Sequence, residues 1–318
     1  MAIPLRMQLL WKVLSGFGAG SVDDVPASEV PAARERRRRL LAMPGSSTIV
    51  GKAHPDVLAS TKSVDGAEGA KIPARIYRPA GAGDELLPPV VHFHGGGFVL
   101  GDPQQSEWWC SSVAHDANVV VVSVDYRQAP EHPYPTSVED AYAATRWVVL
   151  RAADIGAQNE RIAVMGDSIG GGLTAAVCLM ARDRGEPSVT FQLLIYPPVD
   201  MVNHYPSEDE NEFAPILGKA DLAAGAGSTP GTQHEPYVSP LLGDHHGLPP
   251  AMIMTAQHDP LRDQGVAYAE ALRAAGVEVR LTNYVDAVHG FISVPGAVPA
   301  SRQALADAVA ALRTALHA

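Results

Sequence analysis

Gly166-Asp167-Ser168-Ile169-Gly170 places a serine between two glycines at G-x-S-x-G spacing. The apolar run Arg161-Ile162-Ala163-Val164-Met165 precedes it, and the small-residue stretch Gly171-Gly172-Leu173-Thr174-Ala175-Ala176-Val177 follows. The pattern predicts a strand, a sharp turn and a helix, with the serine on the turn. Side chains two residues either side of such a serine would strike the neighbouring strand and helix, so both positions call for glycine. A hydroxyl held there, near the positive end of a helix, is suited to attack a carbonyl carbon.

Attack by serine needs a base, an acid to orient it, and donors for the developing oxyanion. Upstream, the apolar strand Pro89-Val90-Val91-His92-Phe93 runs into His94-Gly95-Gly96-Gly97-Phe98. Bare glycine backbone can aim N–H groups at an oxyanion. Downstream, the apolar strand Ala251-Met252-Ile253-Met254-Thr255 leads to Ala256-Gln257-His258-Asp259-Pro260-Leu261-Arg262-Asp263. Asp259 lies nearer the strand end and is the expected orienting acid. Asp263 is expected to cap the following helix or pair with Arg262. Last comes His289-Gly290-Phe291, after the strand-like Val277 to Leu281, giving the order serine, acid, histidine. His92 and His94 have H-x-H spacing, yet no H-E-x-x-H and no cysteine pair at ligand spacing accompanies them, so no metal is expected. His92 is expected to pack beneath the sheet, and His245-His246 to be solvated.

These motifs resemble those of the bacterial hormone-sensitive-lipase-like (family IV) esterases of the α/β-hydrolase superfamily. The resemblance runs from about Pro73 to Phe291 and includes Asp125-Tyr126-Arg127-Gln128-Ala129-Pro130-Glu131-His132-Pro133-Tyr134-Pro135 and Ser239-Pro240-Leu241. It implies Ser168 as nucleophile, His289 as base and Asp259 as orienting acid. It also implies an oxyanion hole from the amides of Gly96, Gly97 and Ile169, with Gly95 shaping the loop. His94, Gly95, Trp108, Trp109 and Asp167 are the expected substrate-binding residues, although the two tryptophans could equally anchor their helix to the core. The implied activity is hydrolysis of short-chain acyl esters without a cofactor. An amidase or peptidase, a lactone hydrolase and a non-catalytic small-molecule receptor remain the alternatives. Two departures from the family pattern stand out. Ile169 replaces the usual alanine and, being β-branched, is expected to narrow the pocket beside Ser168. Gln257 stands where glutamate is frequent.

Composition agrees with a globular enzyme. The chain has 318 residues, 46% of them hydrophobic, and a formal net charge of −11. That acidity disfavours nucleic acid and anionic membranes as partners. The basic run Arg34 to Arg39 is expected to form the solvated face of a short helix. The two cysteines, Cys110 and Cys178, read as buried free thiols. No stretch is long and apolar enough to span a bilayer. Lys12 interrupts the only apolar run of residues 1–20, so a signal peptide is not expected and the location is taken as cytoplasmic. The expected partner is a small-molecule ester, and a homodimer is compatible with the chain.

The alternation of strands and helices predicts an α/β-hydrolase fold: a mostly parallel central sheet, helices on both faces and a helical cap. Val57-Leu58-Ala59-Ser60-Thr61 and Ala74-Arg75-Ile76-Tyr77 suit an antiparallel edge pair around a turn at Asp65-Gly66. Helices are expected from Val138 to Ala152, with Ser137 as N-cap, and from Ala300 to Ala315. Residues 1–45 and the acidic, glycine-rich insertion 201–236 are assigned to the cap. Residues 46–200 and 237–318 form the two parts of the core.

Overall fold

The computed structural model describes residues 25–222 and 231–317. Of the expected cap, residues 1–24 and 223–230 lie outside them.

One eight-stranded sheet organises the chain, in the order β1-β2-β4-β3-β5-β6-β7-β8. The strands are β1 (Val57–Asp65), β2 (Lys71–Pro79), β3 (Pro89–Phe93), β4 (Val120–Val124), β5 (Ile162–Asp167), β6 (Val189–Ile195), β7 (Ala251–His258) and β8 (Val279–Val288). β1 and β2 pair antiparallel at one edge, and β2 pairs antiparallel with β4. All other pairings are parallel. The helices are α1 (Val30–Leu41), α2 (Ser47–Val50), α3 (Glu107–Ala117), α4 (Thr136–Leu150), α5 (Ile169–Arg184), α6 (Pro206–Glu210), α7 (Arg262–Ala274) and α8 (Ala300–Leu316).

Strand alternation sends side chains to two separate cores. In β4, Val120, Val122 and Val124 join Val138, Leu173 and Tyr268 on the face covered by α4, α5 and α7. Val121 between them joins Trp109, Val113 and Leu312 on the face covered by α3 and α8. Both faces are covered, which is why the central strands read as mostly apolar runs.

Three local expectations need correction. α4 begins at Thr136 after Pro135, so Ser137 is not its N-cap. The Ser137 hydroxyl instead donates to the Arg127 carbonyl (2.7 Å). His245 is not solvated: it is buried, its Nε2 donates to the Pro240 carbonyl (2.9 Å), and its ring meets Tyr268 edge-on. His246 does stay exposed. The arginine run is not merely a solvated face. Arg34 donates to the carbonyls of Val99 (2.7 Å) and Ala129 (2.8 Å) and pairs with Glu131, and Arg38 pairs with Asp102 (3.1 Å). With Val30 and Ala33 packed on Leu100, these contacts seat α1 on the glycine-rich loop after β3.

Candidate active site

β5 delivers Ser168 at its carboxyl end, and α5 begins at the next residue. Ser168 holds φ 54°, ψ −127°, a region that L-residues rarely occupy. The flanking glycines explain how the turn closes. A Cβ at Gly166 would strike the Gly170 carbonyl, and one at Gly170 would strike the Phe93 carbonyl. Strain at one serine is retained because the packed strand and helix on either side leave the chain no other path.

Two distant loops bring partners to this hydroxyl. Ser168 Oγ donates to His289 Nε2 (2.9 Å), and His289 Nδ1 donates to Asp259 Oδ2 (2.8 Å). The other carboxylate oxygen of Asp259 accepts the Leu261 amide (2.9 Å). Asp259 is fully buried and His289 nearly so, while Ser168 stays partly open. The arrangement can pass the serine proton to an imidazole whose tautomer a buried carboxylate fixes. Asp263 stands outside this chain. It pairs with Arg262 (2.8 Å) and accepts the Ser207 amide (2.9 Å), in the first turn of α7.

The loop after β3 lies against the serine. A Cβ on Gly95 would come 3.1 Å from Ser168 Cβ. Gly96, at φ 127°, and Gly97, at φ 63°, take backbone conformations that suit glycine. The amides of Gly96, Gly97 and Ile169 donate to no other described residue. Unsatisfied amides beside a nucleophile can receive a negatively charged oxygen.

Of the expected substrate-binding residues, three are structural instead. His94 is fully buried, stacks on Tyr126 (4.4 Å between centroids) and donates from Nδ1 to the Gly95 carbonyl (2.9 Å). Burial pushes its pKa down to about 4, so the ring is neutral. Asp167 is buried under the loop, its Oδ1 3.3 Å from His92 Nε2. Trp109 is 1% exposed, inside the core between α3 and the sheet. No substrate can reach these side chains without the core opening. Trp108 is partly exposed and packs beside Gly51. His92 is buried, as expected, and meets Ser123 Oγ at 2.9 Å. Ile169 is buried (5% exposed) and begins α5. Gln257 turns aside to accept from Asn283 Nδ2 (2.8 Å).

Residues that no motif singles out brace the site. Tyr196, at φ 38°, packs its ring on His289 (4.6 Å) and Phe291 (5.5 Å). From the insertion, Ser207 and Asn211 bond the carbonyls of Pro260 (2.7 Å) and Asp259 (3.4 Å), and Ile216 lies over Gly290. Only the place of Tyr196, at the carboxyl end of a buried strand, could have drawn attention to it.

Comparison with known proteins agrees with this geometry. Residues 90–293 match the family described as alpha/beta hydrolase fold. The esterase LipI of Mycobacterium tuberculosis is 43% identical over 303 residues, covering 93% of this chain and 91% of its own. The ethyl acetate hydrolase of Pseudomonas putida is 34% identical over 311 residues, covering 95% of each chain. Among solved structures, a hyperthermophilic esterase from the archaeon Pyrobaculum calidifontis superposes with a TM-score of 0.86 at 36% identity, covering 99% of both chains.

Proposed function

This chain belongs to the hormone-sensitive-lipase-like esterases of the α/β-hydrolase fold, and on that premise we propose that it is a serine carboxylesterase acting on short-chain acyl esters. The observation that carries the reading is the unbroken hydrogen-bond path from Ser168 through His289 to Asp259, at 2.9 and 2.8 Å.

In this proposal Ser168 Oγ attacks the ester carbonyl while His289 Nε2 takes its proton. Asp259 stabilises the imidazolium without becoming protonated. The carbonyl oxygen, now negative, turns to the amides of Gly96, Gly97 and Ile169; each such donor is typically worth about a hundred- to a thousandfold in rate. Collapse expels the alcohol, which leaves with the proton from His289. Water then attacks the acyl-enzyme with His289 again as base, and the carboxylic acid departs. Every atom of this cycle comes from the chain, the ester and water, so the proposal calls for no cofactor.

The short-chain reading is supported by Ile169 beside the nucleophile and by the name of the Pseudomonas putida relative, an ethyl acetate hydrolase. The insertion near Asp259 and Gly290, together with residues 1–45, is proposed as the cap. No described helix is long and apolar enough to cross a membrane. We propose that the enzyme works in the cytoplasm on small diffusible esters, with a homodimer as its proposed assembly.

A p-nitrophenyl ester series from acetate to decanoate, run beside the matching anilides, tests the assignment. Fast acetate or butyrate turnover with negligible anilide cleavage is expected. Preferential anilide cleavage would move the assignment to an amidase.

A further inference from the structure

We propose that His54, His115 and Asp116 form a surface site for a borderline divalent cation of the zinc or nickel class. The three lie outside the residues gathered around Ser168. One donor atom from each falls within 4.8 Å of the other two. His115 and Asp116 end α3, and His54 approaches from the segment between α2 and β1. The two imidazoles lie face to face, 3.8 Å between centroids and 18° from parallel. The His54 amide donates to Ser111 Oγ (2.9 Å), which fastens the approaching segment to α3.

An imidazole nitrogen and a carboxylate oxygen already meet there: His115 Nδ1 lies 2.8 Å from Asp116 Oδ1, and a cation would take the place of the proton between them. The end of α3 contributes the negative pole of its dipole. The neighbouring cationic group is Arg313, whose guanidinium bonds the Asp116 main-chain oxygen (3.3 Å). His317 donates to the Ala117 carbonyl (2.9 Å), and the Asp56 amide donates to His54 Nδ1 (3.3 Å), a bond that a cation at that nitrogen would replace. Imidazole pairs with a carboxylate suit zinc and nickel better than calcium or magnesium.

His204 shows the contrast. Both its nitrogens donate to carboxylates, Glu208 and Asp209, each at 2.8 Å. The bonds to Asp209 and Glu208 raise its pKa, and both ring nitrogens are committed to them. At the proposed site, metal–nitrogen bonds of about 2.0–2.1 Å require the donors to draw about an ångström closer. The side chains of His115 and Asp116 are 39% and 43% exposed and can make that movement.

Calorimetric titration of the untagged full chain with zinc chloride, at about pH 7.5, tests the site. One zinc per chain is expected. His54→Gln and His115→Gln should each weaken binding at least about tenfold, and His204→Gln should leave it unchanged. Should a variant misfold, the wild-type chain titrated with calcium chloride decides, since a site of two imidazoles and one carboxylate should take zinc and leave calcium unbound. Absence of zinc binding, wild-type zinc affinity in the His54 and His115 variants, or calcium binding as tight as zinc binding would each overturn the proposal.

Discussion

The hydroxyl of Ser207 donates to the main-chain carbonyl of Pro260 at 2.7 Å, tying the insertion to the loop that carries Asp259. Ser207 is fully buried, and its amide also donates to Asp263 (2.9 Å). Replacing Ser207 with Ala leaves the Pro260 carbonyl without this donor, at a cost of about 1–3 kcal/mol. The loop then holds Asp259 less firmly. Steady-state kinetics of Ser207→Ala should show a fall in kcat that exceeds any change in KM. Unchanged kcat would mean that the insertion does not brace the acid.

Trp109 and Trp108 are neighbours with opposite fates. Trp109→Ala should destabilise the chain by about 3–5 kcal/mol, because a large side chain is removed from a closed core. Trp108→Ala, at a partly exposed position, should cost less. Urea unfolding of both variants distinguishes them. A larger loss at Trp108 would contradict the assignment of Trp109 to the core.

His94 gives the fold an acid sensitivity. Its folded pKa, about 4, lies below the ordinary histidine value. The unfolded chain therefore binds a proton here at a pH where the native state does not. The stability contributed by the neutral ring is complete above about pH 6.5 and falls as the pH drops toward 4, by roughly 3 kcal/mol in all. Urea midpoints measured across this window should fall more steeply for the wild type than for His94→Gln. Parallel curves would rule out a neutral buried His94.

Ile169 should set the acyl range. Its replacement with Ala removes branched bulk beside Ser168 while keeping the backbone amide. The ester chain-length profile should extend toward longer acyl groups, with acetate turnover retained. An unchanged profile would show that the side chain does not border the acyl group.

Much of this architecture was legible before any coordinates. Val119 to Val122 and Ile162 to Met165 read as buried strands because both faces of the sheet are covered, so no polar residue interrupts them. The elbow was legible because the two glycines answer a steric demand that few other turns make. What escaped were contacts made between distant segments. His245 sits in a polar stretch, and nothing local points to Pro240 and Tyr268 as its surroundings. Arg34 and Arg38 look like any solvated helix face until the loop that receives them is in place. Trp108 and Trp109 have the same local chemistry, and only the rotation of α3 decides which one enters the core. Ser207 and Asn211 lie in an insertion without periodicity, so their bonds to the Asp259 loop left no trace in the pattern.

In the proposed cycle Ser168 becomes covalently acylated with His289 as its base. Mass spectrometry of the chain after reaction with a p-nitrophenyl phosphonate, followed by peptide mapping, tests this step. One adduct per chain is expected, on the peptide containing Ser168, absent in Ser168→Ala and formed far more slowly in His289→Ala. Labelling at another residue, or ester turnover at the wild-type rate in Ser168→Ala, would contradict it.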